Sequence, residues 1–126
     1  MGYKVSDITS YLEKNMPLYC AEPWDPVGLS LGRGDMKVEE VLCTVTVTTP
    51  VAQEALSQKN TLICSHHPFP FRADLADHEQ HILTQLTDSQ IAVYSAHTAY
   101  DNAPGGINDT LLWVAQGLGL GAKDIG

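Results

Sequence analysis

The sequence predicts an α/β domain in which a largely parallel sheet lies between two layers of helices. Three short apolar runs of strand length, beginning at Val41, Thr61 and Ile91, alternate with segments of helical period. Strands that alternate with helices form right-handed βαβ units, which cover a parallel sheet on both faces. With 126 residues, 44% of them hydrophobic, the chain is long enough for one such core, so we predict a single domain over residues 1–126.

The first predicted elements are a helix and a structured loop. Ser6 is a suitable N-cap for a helix that Pro17 ends. Its apolar positions follow the helical period: Val5, Ile8, Leu12 and Met16. The segment AEPWDPVGLSLG, with two prolines and two glycines, then predicts a loop that leads into a short extended piece.

The remaining elements alternate between strand and helix. A run rich in β-branched residues predicts a strand from Val41 to Thr48, in which Val41, Cys43, Val45 and Val47 alternate with Leu42, Thr44, Thr46 and Thr48. Thr49 as N-cap and Pro50 in the first turn predict a helix over PVAQEALSQK. The strand TLICS, the helix HEQHILTQLTD, the strand IAVYSA and the helix INDTLLWVAQGL follow in that order.

Charge and composition exclude several classes of partner. Seven Lys and Arg against fifteen Asp and Glu give a formal net charge of −8, which disfavours nucleic-acid polymers and anionic membranes. The uncharged stretches are too short for the roughly 20 apolar residues of a membrane-spanning helix. The N-terminus lacks a secretory pattern and the three cysteines lack close pairing, so we expect a cytoplasmic protein with reduced thiols.

All five histidines fall between positions 66 and 97. His66 and His67 directly follow TLICS, and His97 follows IAVYSA, with Asp101 four residues later. If these strands are parallel neighbours, their carboxyl ends place these side chains at one edge of the sheet. Imidazoles and a carboxylate are ligands for zinc, manganese, iron, cobalt or nickel. The pattern therefore favours a metal site over a turn with hydrogen-bonded rings.

The number of ions depends on how the chain runs at the histidine pair. Adjacent residues of an extended chain point in opposite directions, so His66 and His67 reach one ion only if the chain turns there. Otherwise they serve two ions, with Asp101 placed to bridge them. A two-metal site of that kind is used for metal-assisted hydrolysis.

Two other groups are weaker candidates. Asp74, Asp77, His78 and His81 have spacings that would share one helical face, although first-turn acids and solvated histidines explain them as well. Cys64 could act as a nucleophile beside a histidine. Its place within the apolar run LIC is more typical of an inert buried thiol.

Two loops could complete a cleft at this edge. The segment NAPGGIND follows Asp101 with two glycines before a helix, which suits an anion cradle, although a helix-entry turn needs glycine for backbone freedom alone. Trp24 and Asp25 could form a wall of the same cleft, with a buried anchor as the alternative for Trp24.

Three motifs resemble one family: WDPVGLSLG, SHHPFPF and AHTAYDNAPGGINDTL. They are similar to the NIF-three-like family, whose bacterial members are commonly called GTP cyclohydrolase I type 2 homologues and carry a dinuclear metal centre. The resemblance runs from about Ser6 to the end of the chain and implies a three-layer NIF-three-like fold. It implies that His66, His67 and Asp101 are ligands of two divalent metal ions. His97 matches a histidine close to the metals and is the candidate catalytic proton shuttle.

Two functions are compatible with this resemblance. The first is a divalent-metal-dependent hydrolase of a nucleotide or other phosphorylated small molecule, resembling GTP cyclohydrolase I type 2 homologues. The second is a non-catalytic metal-binding scaffold or protein-interaction module. Family members assemble as ring-shaped oligomers, commonly hexamers, so the resemblance implies a homo-oligomer for the full-length protein.

The resemblance has two departures. Family members usually carry a second half of comparable size that supplies a further His and Glu to the metals, and neither motif is present, so the chain is similar to an N-terminal half. Pro26 stands where the family often has Asn, and Thr46 where it often has Asp. Because Asp101 alone supplies little negative charge for two cations, we expect these 126 residues to bind metal weakly or not at all.

Overall fold

A four-stranded sheet organises the chain in a computed structural model that describes residues 2–121 and 123. The strands are β1 (Tyr3–Lys4), β2 (Gly28–Leu31), β3 (Lys37–Val38), β4 (Glu40–Thr44), β5 (Thr61–Ser65) and β6 (Ala92–Ser95). The helices are α1 (Val5–Asn15), α2 (Thr49–Ser57), α3 (Asp77–Asp88), α4 (His97–Asn102) and α5 (Ile107–Gly117), with a 3-10 turn at Leu18–Cys20.

The main sheet has the order β2-β6-β5-β4, and β4, β5 and β6 are parallel. This confirms the predicted α/β class and the largely parallel sheet. The extended piece after the first loop is the edge strand β2, which runs antiparallel to β6. A separate two-stranded ribbon pairs β1 with β3. The register sets Ser65 at the end of β5 beside Ser95 at the end of β6.

Alternate residues of β5 and β6 supply the two halves of the core. Ile63 and Val93 are buried against α2 and α3 on one face. Leu62 and Tyr94 are buried on the other face, against α1 and the residue Val38 of the ribbon. A side-chain period of two sends neighbouring residues to opposite faces, and apolar runs such as TLICS fill both. The three-layer arrangement follows from this.

Several predicted boundaries were wrong by a few residues. Lys4, rather than Ser6, precedes α1, and its amide donates to the Asp7 carboxylate at 2.8 Å. The strand predicted to reach Thr48 ends at Thr44. Thr48, rather than Thr49, precedes α2. The periodicity of the sequence does not report helix and strand ends to the residue.

The helix α4 was not predicted at all. It is six residues long, too short to show an apolar period, and it begins at His97. Its position matters because it carries both His97 and Asp101. None of the helices within the described ranges has the length and apolar character needed to cross a membrane.

Candidate metal centre

The parallel pairing of β5 and β6 continues past both strand ends and brings the histidines together. The amide of Ala96 donates to the carbonyl of Ser65 at 3.0 Å, and the amide of His97 donates to the carbonyl of His66 at 2.8 Å. Between the strands the hydroxyls of Ser65 and Ser95 lie 3.1 Å apart and are buried. These contacts fix His66 beside His97, at the sheet edge where the strand order predicted them.

Three imidazole rings and one carboxylate form a cluster at this edge. The ring centroids are 5.4 Å apart for His66 and His67, 5.5 Å for His66 and His97, and 5.9 Å for His67 and His97. Asp101 projects from the next turn of α4, and its Oδ1 lies 3.4 Å from Nε2 of His66. His66 and Asp101 are each about a quarter exposed, so the cluster is open to small solutes.

The separation of His66 from Asp101 is compatible with two ligands of one ion. An N–H···O bond has its donor and acceptor about 2.9 Å apart. Two donor atoms each about 2.0 Å from a tetrahedral ion lie about 3.3 Å apart. The observed 3.4 Å matches the second value. The Nδ1 atom of His66 is buried and has no hydrogen-bond partner among the described residues.

The donor types fit a borderline divalent metal ion. Within residues 2–121 and 123, no three His, Cys, Asp or Glu side chains are placed to hold an ion together. His66 and Asp101 approach ligand spacing, and the exposed His67 lies beside them.

His67 is oriented by Thr46, which stands where the family often has Asp. Thr46 lies just beyond the end of β4, and its Oγ1 is 2.8 Å from Nδ1 of His67. The amide of His67 donates to the carbonyl of Val45 at 2.9 Å, which brings the two segments together. Because Thr46 engages Nδ1, the other nitrogen of His67, Nε2, is left for a ligand. The resemblance implied the loss of a carboxylate at Thr46, and it did not indicate this contact.

Asp25 was predicted as a wall residue, and the structure places it under His97. Its side chain is fully buried, and its Oδ2 lies 2.9 Å from Nδ1 of His97. The amide of Thr98 donates to the same oxygen at 3.0 Å, and the Thr98 hydroxyl donates to it as well. Burial raises the pKa of Asp25, but the hydrogen bonds from Thr98 and His97 outweigh it and lower the pKa below 3.8. Asp25 is therefore a carboxylate at neutral pH.

Aromatic side chains surround His97. The ring centroid of Trp24 lies 6.1 Å from that of His97, and that of Phe71 lies 6.5 Å away. Trp24 is 62% exposed, so it is a wall residue and the interpretation as a buried anchor was wrong. Tyr100 also lies near the cluster, with its ring centroid 6.5 Å from that of His66.

The alternative ligand group on α3 is dispersed. Asp74 precedes the first residue of α3, Asp77, so the helical spacing proposed for the four residues does not hold. Instead, Oδ1 of Asp74 lies 3.9 Å from Nε of Arg72 in an exposed ion pair. His78 and His81 are exposed on the helix surface, as the solvated-face interpretation states.

Cys64 is an unsuitable nucleophile. It is half-buried in β5 beside its register partner Cys43. Burial, with a smaller contribution from Cys43, raises the pKa of Cys64 to about 12. The reactive thiolate is therefore scarce at neutral pH.

The two glycine amides in the turn before α5 are not free to bind an anion. The amide of Gly105 donates to Oδ2 of Asp109 at 2.7 Å, and the amide of Gly106 donates to the carbonyl of Ala103 at 2.8 Å. These two amides already have partners within the chain. The turn instead joins α4 to α5 closely, since a Cβ on Gly106 would lie 2.0 Å from the carbonyl oxygen of Tyr100.

Comparison with known proteins decides the family. A family model described as Duf34/NIF3 (NGG1p interacting factor 3) matches residues 3–125. The chain belongs to the DUF34/NIF3 family. The resemblance to the NIF-three-like family is therefore confirmed, and a solved Bacillus cereus protein related to NIF3 shares the fold. That structure superposes with a TM-score of 0.82 at 32% identity, over 99% of this chain and 35% of that one.

Curated DUF34/NIF3 relatives are considerably longer than this chain. NIF3-like protein 1 of Drosophila melanogaster is 32% identical, over 94% of this chain and 41% of that protein. A Listeria innocua protein named GTP cyclohydrolase 1 type 2 homolog is 36% identical, over 83% of this chain and 29% of that protein. The chain thus spans less than half the length of these DUF34/NIF3 relatives.

Proposed function

We propose that His66, His67 and Asp101 are ligands of a divalent metal centre, and that the centre serves hydrolysis of a nucleotide or other phosphorylated small molecule. The observation that carries this proposal is the convergence of His66 and Asp101, with Nε2 of His66 3.4 Å from Oδ1 of Asp101, beside the exposed His67. The family resemblance implies two ions, with further ligands from outside these residues. The same resemblance supports a homo-oligomer for the full-length protein.

Residues of this chain would orient the ligands and the histidine rings around such a centre. A bound divalent ion would supply a water of lowered pKa and would polarise a phosphate oxygen. Thr46 holds the ring of His67 through Nδ1, and the rings of Trp24 and Phe71 lie near that of His97. With a formal net charge of −8, the attraction for a phosphorylated substrate depends on bound cations.

We expect the chain to bind Zn²⁺ or Mn²⁺ weakly, with at most one ion per chain, because a single carboxylate accompanies the histidines of the proposed ligand set. Calorimetric titration measures both the affinity and the stoichiometry. The His66→Ala variant should lose at least about tenfold in affinity, the scale expected for damage to a metal site. The matched control is His78→Ala, which removes an exposed histidine on α3.

Three results would count against these statements. Tight binding of two ions per chain would contradict the weak binding that we expect. Equal affinity in the wild type and the His66→Ala variant would contradict the assignment of His66. Metal binding without metal-dependent turnover of nucleotides or phosphoesters in the full-length protein, with an EDTA control, would favour the non-catalytic scaffold instead.

A further inference from the structure

His97 lies at a point where the backbone is held in an unusual conformation. It is the first residue of α4, and its φ angle of +33° is rare for a residue with a side chain. Its amide donates to the carbonyl of His66, which anchors the strained residue to the end of β5. Strain of this kind persists only where surrounding contacts hold it in place.

The buried carboxylate of Asp25 supplies those contacts from the loop before β2. Its Oδ2 faces the two Thr98 donors and Nδ1 of His97. The Thr98 hydroxyl accepts a hydrogen bond from the amide of Glu22 at 2.9 Å and donates its own proton to Asp25. The side chain of Asn102 donates to the carbonyl of Cys20 at 3.1 Å, which ties α4 to the 3-10 turn just before the loop. The loop and the helix are therefore one connected unit.

This arrangement decides which nitrogen of His97 carries the proton. A carboxylate only accepts hydrogen bonds, so Nδ1 at 2.9 Å from Oδ2 must be the donor. The opposite tautomer would place a lone pair of Nδ1 against a buried anionic oxygen, which is repulsive. In the neutral ring, Nε2 then holds the lone pair.

The Nε2 atom of His97 is available at the proposed metal centre. No hydrogen bond to Nε2 is present among the described residues, and the side chain is 21% exposed. The ring lies 5.5 Å from that of His66 and 5.9 Å from that of His67. A basic nitrogen with no partner in this part of the chain thus lies beside the ligand pair.

We propose that Asp25 is the positioning residue that holds His97 in its Nδ1–H tautomer, so that Nε2 is the atom that accepts a proton from a water or hydroxyl at the centre. The proton leaves the attacking oxygen and binds Nε2, and the resulting imidazolium is paired with the Asp25 carboxylate. The use of Nε2 as a base rests on the proposed hydrolytic function. The tautomer does not, because it follows from Asp25 alone.

The tautomer is measured directly by nitrogen-15 NMR of the histidine rings in the metal-free chain, with EDTA present and at a pH where the rings are neutral. In the wild type, we expect His97 to show a protonated Nδ1 and an unprotonated Nε2. In Asp25→Ala this pattern should be lost, and the ring should move towards the Nε2–H form or a mixture of the two. Asp25→Asn should restore part of the pattern, because its side-chain oxygen still accepts a hydrogen bond.

The matched control is Glu22→Gln, which removes a charge from the same loop but keeps the backbone amide that donates to Thr98 and a side-chain oxygen that accepts from Asn102. It should leave the His97 pattern unchanged, and the resonances of His78 and His81 should be unchanged in every folded variant. An Nε2–H form of His97 in the wild type would overturn the proposal even if no variant folds. Unchanged His97 shifts in a folded Asp25→Ala variant would overturn it as well. Because no metal is added, a failure here is distinct from a failure of metal binding.

Discussion

The Gly106→Ala variant should lose about 3 kcal/mol of unfolding free energy, the upper end of the usual cost of overpacking. A Cβ at this position would lie 2.0 Å from the carbonyl oxygen of Tyr100 and 2.8 Å from that of Ala103. Both are backbone atoms, so no side-chain rotation relieves the overlap. The turn between α4 and α5 would have to open, and α4 carries Asp101.

Urea denaturation measures this loss, and Gly117→Ala is the matched control. Gly117 is the last residue of α5, and a Cβ added there would point into open space. Alanine at this position should be neutral or should stabilise the helix by up to about 1 kcal/mol. Equal stabilities for the two variants would contradict the tight packing assigned to the turn.

The Ile63→Ala variant should lose about 3 to 4 kcal/mol, within the range for removing a large aliphatic side chain from a core. Ile63 is fully buried in the middle of β5, where it packs in the cluster with α2 and α3. Strand β5 also positions His66 and His67. A loss of this size is a large part of the roughly 5 to 15 kcal/mol that stabilises a typical domain.

The control for this variant is Val41→Ala on the neighbouring strand β4. Val41 is also β-branched, but it is 45% exposed at the edge of the sheet, so its removal should cost about 1 kcal/mol or less. Thermal or urea unfolding of the two variants under one set of conditions makes the comparison. Equal losses would contradict the assignment of Ile63 to the core.

Local sequence patterns were sufficient for most of the architecture. Apolar runs such as TLICS and IAVYSA indicated buried parallel strands, because they fill both faces of a covered sheet. The antiparallel direction of β2 was not predictable, since it depends on the end of β6 at which the preceding loop enters the sheet. The helix α4 escaped prediction because six residues carry no measurable period.

The candidate site was predictable only in part. The juxtaposition of His66 with His97 followed from parallel strand order, which is a rule of topology. The contacts of Asp25 with His97 and of Thr46 with His67 link residues 72 and 21 positions apart, and no local pattern reports such pairs. The sequence features that mark the Asp25–His97 contact are the WD motif and Thr98, which follows His97. The sequence also did not show that the amides of the two glycines before α5 are already bound by Asp109 and Ala103.

Line broadening by Mn²⁺ is the most direct test of a divalent metal centre at the carboxyl ends of β5 and β6. A paramagnetic ion broadens the ring signals of the histidines nearest to it, and this chain carries its own internal controls on α3. We predict that substoichiometric Mn²⁺ broadens the rings of His66, His67 and His97 first, while those of His78 and His81 stay sharp. Earlier broadening of His78 and His81, or equal broadening of all five, would contradict the site.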